Sequence, residues 1–210
     1  MTKWLLLGAA ALGLAGFLMR RRRQPTPFPP WLTPLLATPW RRRYFSPQEA
    51  AARHGVRPGM RVLEIGPGGG YLTGAAADLL GAAARIVCLD VQLEMLRKLR
   101  RSLAPLSIGS VAASGSQLPF RNEAFDLVYL AHVLGEIPDR SEALRECARV
   151  IGPTGVVAVK EGLPDPDFIR SARLLRLASE VGLFPTERFG GRWHYTQRFA
   201  KRPHEARTTR

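Results

Sequence analysis

The segment that most constrains this chain is Val62-Leu63-Glu64-Ile65-Gly66-Pro67-Gly68-Gly69-Gly70. Met60 to Ile65 reads as an apolar strand, and about Tyr71 to Leu80 reads as a helix that Gly81 ends. The glycines between them permit a tight turn with positive φ and a close backbone approach to a ligand. Strand, glycine loop and helix in that order aim backbone N–H groups at a ligand above the carboxyl end of a sheet. An acid, Asp90, closes the next strand, Arg85 to Leu89, twenty-six positions after Glu64. A carboxylate placed there can accept both hydroxyls of a ribose. A phosphate-binding P-loop needs Lys-Ser or Lys-Thr after its glycines, and this loop continues with Tyr71-Leu72. A dinucleotide site has no acid before the loop; Glu64 would repel a pyrophosphate and suits a cationic ligand end. The plainer alternative is a turn with no ligand at all.

The rest of the chain alternates in the same way. Ser46 caps a helix with Pro47 in its first turn and Glu49 three residues on, running to about Arg53. A helix over Gln92–Leu103, a weak strand over Ser107–Ala113 and a strong strand over Phe125–Leu130 follow. After them come a helix over Arg140–Val150, a strand over Thr154–Val159 and a helix over Phe168–Val181. Two extended stretches around Gly190-Gly191, near 184–189 and 193–199, look like a hairpin. This alternation predicts an α/β chain with a doubly wound, mostly parallel sheet.

The amino-terminal part is different. Trp4 to Met19 is sixteen residues without a charge, about 24 Å as a helix against a hydrocarbon core of about 30 Å. Arg20 to Arg23 follow it, so residues 1–23 read as a membrane anchor with a basic collar, the domain facing the cytoplasm. A cleaved signal peptide is the competing reading. Residues 24–45 are a proline-rich connector, 46–200 the folded domain and 201–210 a basic tail. The net charge of +14 is concentrated at the ends, which favours anionic lipid over nucleic acid. Cys88 and Cys147 have no metal-ligand spacing, so they read as reduced structural thiols and no metal site is expected.

Four ordered segments, VLEIGPGGG, LDVQLEML, LPFRNEAFDLVYLAHVLGEIPD and RVIGPTG, together resemble the motifs of class I S-adenosylmethionine (SAM)-dependent methyltransferases, nearest to the methyltransferase type 11 group. The resemblance covers about residues 46–200. It implies a Rossmann-like seven-stranded sheet whose last strand runs antiparallel, here preceded by an amino-terminal hydrophobic helix. It also implies roles for residues that match the motifs. Glu64 would orient the methionine amino end of SAM, and Gly66, Gly68 and Gly70 would let the loop pass beneath the cofactor. Asp90 would hold the ribose, with Val91 against the adenine. Ser114 stands where relatives carry an acid that meets the adenine amine; its hydroxyl can still accept a hydrogen bond, without charge assistance.

Methyl transfer needs alignment of nucleophile, methyl and sulfur, a shielded site, and sometimes removal of a proton. The candidates follow the fourth strand: His132 as a base, or as a residue shaping the pocket, and Glu136 as a substrate contact or a helix cap. Lys160 and Glu161 fall at the pocket rim, with a solvated loop end as the plainer reading; His194 and Tyr195 in the hairpin read as packing or as a substrate contact. The leading expectation is a membrane-tethered methyltransferase acting on a small or lipophilic acceptor, with S-adenosylhomocysteine as co-product. RNA methylation and a non-catalytic SAM-binding membrane scaffold are the alternatives. An appended RNA-binding module and an aromatic–basic platform are both missing from the sequence.

Overall fold

A computed structural model describes residue 27 and residues 46–201, apart from positions 83, 105, 107 and 164. The proposed anchor, almost all of the connector and almost all of the basic tail lie outside the described residues, as does the expected amino-terminal helix. Among the described residues no helix is long and apolar enough to cross a membrane.

Among the described residues seven strands alternate with five α-helices. In chain order they are α1 (Pro47–His54), β1 (Arg61–Ile65), α2 (Thr73–Leu80), β2 (Arg85–Asp90), α3 (Leu93–Ser102), β3 (Gly109–Ala112), β4 (Phe125–Ala131), α4 (Arg140–Val150), β5 (Ile151–Gly162), α5 (Ser171–Glu180), β6 (Phe184–Gly190) and β7 (His194–Ala200). The sheet order is β3-β2-β1-β4-β5-β7-β6. Pairings among β1 to β5 are parallel, and β7 runs antiparallel to both β5 and β6. The expected hairpin therefore closes the sheet, with its second strand inserted beside β5.

Alternation along β1 explains the three layers. Leu63 and Ile65 face a core shared with Leu144 and Cys147 of α4 and Leu174 and Ala178 of α5. Val62 faces the opposite core, with Ala51 of α1, Ala76 and Leu80 of α2 and Leu99 of α3. Side chains pointing to opposite faces at every second residue require helices on both sides.

Local chemistry sets several boundaries. Ser46 accepts a hydrogen bond from the Glu49 amide at 3.2 Å, as the capping pattern predicted, and Gly55 ends α1 in the left-handed region. Asp139 caps α4 through the Glu142 amide at 2.9 Å. Capping there therefore falls to Asp139, and Glu136 sits instead in a single 3-10 turn, Leu134–Glu136. β5 is longer than the expected Thr154–Val159, because pairing extends the strand from Ile151 to Gly162. Cys88 and Cys147 are free and buried.

Candidate active site

The carboxyl ends of β1, β2 and β4 lie side by side, which gathers the sequence-predicted residues at one edge. Gly66 and Gly70 have φ of 69° and 87°, and both are packed from within the protein. A Cβ on Gly66 would collide with the Val133 methyls, and one on Gly70 would meet Leu99 at 2.7 Å. Gly68 (φ 56°) and Gly69 differ: added side chains there would meet only Met95 at 3.9 Å and open space respectively. The outer pair of glycines thus lets the loop lie close on its own chain, and the inner pair leaves its outer surface clear for a ligand.

Glu64 projects into the core layer beneath this loop, where it is 3% exposed. The Thr73 hydroxyl donates to its Oε2 at 2.6 Å and the Cys88 thiol lies at 3.7 Å. Burial pushes its pKa up to about 7, against the opposing effect of these hydrogen bonds. Asp90, at the end of β2, accepts the Gln92 amide at 2.9 Å, and burial raises its pKa also. Beside it Val91 is 59% exposed and Leu93 51%. An apolar pair this open, next to a largely buried carboxylate, is suited to a ligand with one flat apolar part and one hydroxylated part.

The Ser114 hydroxyl is engaged with the Ser116 hydroxyl at 2.9 Å and the Ser116 amide at 3.3 Å. It therefore stabilises its own turn while lying on the loop that crosses β1, where a Cβ on Gly115 would meet Ile65 and Ile137. Arg149 fixes that connection, donating to the Leu118 and Phe120 carbonyls at 2.9 and 2.7 Å while paired to Glu146.

A second group of residues lies across β4 and β5. His132 has φ of 60°, a rare backbone state for a side-chain-bearing residue, and its amide donates to the Lys160 carbonyl at 2.9 Å. Its Nδ1 lies 3.7 Å from Asp165 Oδ2. Gly162 sits between two imidazoles: a Cβ there would collide with His194 and approach His132 Cε1 at 3.3 Å. Lys160, His194, Tyr195 and Phe189 line an open cleft whose other wall is Ser46, the cap of α1, with Glu49 and Arg53 of that helix. Glu136 is half-buried in the turn after His132. Glu161, read from sequence as a rim or solvated residue, is instead 1% exposed: it alternates away from Lys160 and accepts the Ile169 amide at 3.1 Å. Asp165, Thr73 and His54 were not legible as site residues, since each joins the others only through tertiary contacts. His54 is fully buried 4.9 Å from the Tyr129 ring, its pKa lowered to about 3 chiefly by burial. Among the described residues no cluster suited to a metal is found.

Comparison with known proteins decides what kind of site this is. Residues 63–159 match the family model described as a methyltransferase domain. Over that segment the chain is similar to methyltransferase domains. Over 111 residues the chain is 34% identical to the ubiquinone/menaquinone biosynthesis C-methyltransferase UbiE of Vibrio vulnificus, covering 51% of this chain and 43% of that protein. The UbiE protein of Hahella chejuensis is 36% identical over 113 residues, with 52% and 45% covered. The chain thus spans less than half the length of these curated relatives. In fold the chain is similar to a SAM-dependent methyltransferase from Aquifex aeolicus, with a TM-score of 0.74 at 19% identity, covering 82% of this chain and 98% of that one.

The residues present fit SAM. The clear outer face of Gly68 and Gly69, the carboxylate of Asp90 beside the open Val91, and the buried anion-capable Glu64 suit a nucleoside joined through a sulfonium to an amino-acid end.

Proposed function

We propose that this chain transfers the methyl group of SAM to a small, lipophilic acceptor of quinone-like character, at a membrane surface. The observation that carries the reading is the juxtaposition of Asp90 with the open outer face of the Gly68-Gly69 turn. Bound there, SAM supplies a methyl group on sulfonium sulfur, already activated for in-line displacement. The Asp90 carboxylate accepts the ribose hydroxyls, Val91 covers an adenine face, and Glu64 balances the methionine ammonium. The acceptor occupies the cleft between α1, the end of β5 and β7, where Phe189 and Tyr195 supply apolar contact. The names of the UbiE relatives support a quinone-type ring.

Carbon or oxygen acceptors that react as anions must lose a proton, and we assign that role to His132, which approaches Gly162 together with the cleft residue His194. Asp165 Oδ2 lies 3.7 Å from the ring Nδ1, so its carboxylate balances the imidazolium formed when the ring takes up a proton. Residues 1–23 tether the chain as a single-pass anchor with the domain facing the cytoplasm. This raises the local concentration of a bilayer-dissolved acceptor.

Calorimetry on Asp90→Ala tests the cofactor site: loss of a charged hydrogen-bond acceptor weakens SAM binding by about 10- to 100-fold, and unchanged affinity would overturn the assignment. Radiolabelled SAM incubated with lipid extract, small-molecule extract and RNA identifies the acceptor pool. Label in RNA would refute the lipophilic reading, and no label in any pool would leave a scaffold. His132→Ala should slow transfer by about 10²- to 10⁴-fold with SAM affinity intact. Carbonate extraction of membranes tests the tether, and release of the chain would sink it.

A further inference from the structure

Among the described residues, the large apolar side chains left exposed are Val91, Leu93, Leu106, Leu163, Phe184 and Trp193. Val91 and Leu93 belong to the cofactor cradle. Leu106, on the connection before β3, and Phe184, the first residue of β6, are separate single apolar surface residues of a common kind. Leu163 and Trp193 do not stand alone. The Leu163 amide donates to the Trp193 carbonyl at 3.0 Å, joining the β5–α5 loop to the β6–β7 turn. Phe168 backs them, its ring 6.4 Å from Trp193 and 6.2 Å from Tyr195. Two loops at the carboxyl end of β5 therefore share one apolar tip, with Leu163 42% and Trp193 44% exposed.

The charged side chains stacked on the rings of this tip are basic. The Arg192 guanidinium lies 4.5 Å over the Trp193 ring, and that of Arg188 lies 5.0 Å over Tyr195 while donating to the Gly191 carbonyl at 3.1 Å. The nearby acids face elsewhere: Asp165 accepts the Asp167 amide and faces His132, and Glu187 is paired with Arg198. Indole with arginine on a protruding turn is the chemistry of the bilayer interface, where the ring sits among headgroups and guanidinium meets phosphate. His194, the next residue, lines the acceptor cleft, so tip and cleft share a rim.

We propose that this tip is a membrane-contact surface. Trp193 and Leu163 enter the headgroup layer of an anionic bilayer, Arg188 and Arg192 lie at its phosphates, and the cleft opens where a bilayer-dissolved acceptor leaves the lipid. The purpose of the contact rests on the lipophilic-acceptor reading; the contact itself is tested without methyl transfer.

The full-length chain carries no exposed thiol among its described residues, since Cys88 and Cys147 are each 0% exposed. Leu163→Cys can therefore be labelled with a nitrobenzoxadiazole fluorophore, with Arg121→Cys, on the exposed turn before β4, as the reference at the opposite end of the strands. Vesicles of phosphatidylglycerol and phosphatidylcholine should shift the emission at position 163 to the blue and shield it from acrylamide, leaving position 121 in water. Phosphatidylcholine alone should shield neither, and Arg188→Glu with Arg192→Glu should abolish the shift while thermal melting stays unchanged. The Asp90→Ala background should keep the shift, which separates this contact from the cofactor site. A label at 163 that stays in water while the chain floats with vesicles would overturn the proposal. Equal shielding at both positions would do the same, as would shielding that grows with protein concentration in the absence of lipid, the mark of a second copy on this face.

Discussion

With SAM in the proposed site, Glu64 should couple its binding to pH. Its pKa is raised to about 7 by burial, so near neutrality part of the population is protonated and cannot balance a cationic ligand. A bound ammonium favours the ionised form, so SAM affinity should rise with pH through about 7 and binding should release a proton. Calorimetry in buffers of different ionisation enthalpy measures that release, and Glu64→Gln should abolish it. At Gly66 two effects combine, a positive φ and contact with Val133. Gly66→Ala should therefore cost about 1–3 kcal/mol in denaturant unfolding. The place of Glu64 just before the glycines was legible in the sequence. Its burial beneath Thr73 was not, because the hydroxyl arrives from the next helix.

Helix α1 shows how an element far off in sequence completes the site. Arg198 of β7 donates to the carbonyls of Arg53 and Ala52 at 2.9 and 2.7 Å, capping the carboxyl end of α1, and is itself paired with Glu187. Eight residues are too few for a helix to persist unaided, so α1 depends on this contact and on Ala50, Ala51 and His54 beneath it. Arg198→Ala should speed hydrogen exchange at residues 47–54 while leaving β1 and β4 protected, and should raise KM for the acceptor more than it weakens SAM. The alternating pattern predicted α1 and its Ser46 cap from sequence. Nothing in the pattern placed α1 against β7, since that packing spans nearly the whole domain.

Across the whole molecule, two buried carboxyls set the response to alkali. Burial raises Glu161 to about 8 and Glu64 to about 7, above the ordinary 4.5. Folded-state pKa values above the unfolded ones mean a contribution that is complete below about pH 4.5 and lost as pH rises through about 8. His54 has the opposite sign: its pKa is lowered to about 3, so its contribution is present above about 6.5 and lost as pH falls. Glu161 Oε1 is buried with no hydrogen-bond partner among the described residues, which makes its ionised form costly. Glu161→Gln should flatten the fall in stability between about pH 5 and about pH 9, read from urea midpoints. A variant whose slope matched the parent would show that Glu161 does not carry it.

The sequence by itself determined the element order, the glycine turn and the acid after β2, because each depends on local periodicity, backbone freedom and short spacing. Those features also determined the α/β class with its terminal hairpin, while the count of seven strands followed from the resemblance to methyltransferase motifs. Only the tertiary structure decided that Gly66 and Gly70 serve packing while Gly68 and Gly69 face outward. It alone decided that Glu161 is buried and Lys160 lines the cleft, and that His132, Asp165 and His194 meet around Gly162. These are pairings across strands and loops distant in the chain. Their distances are set by sheet order and by which face each side chain takes, and no local pattern encodes either.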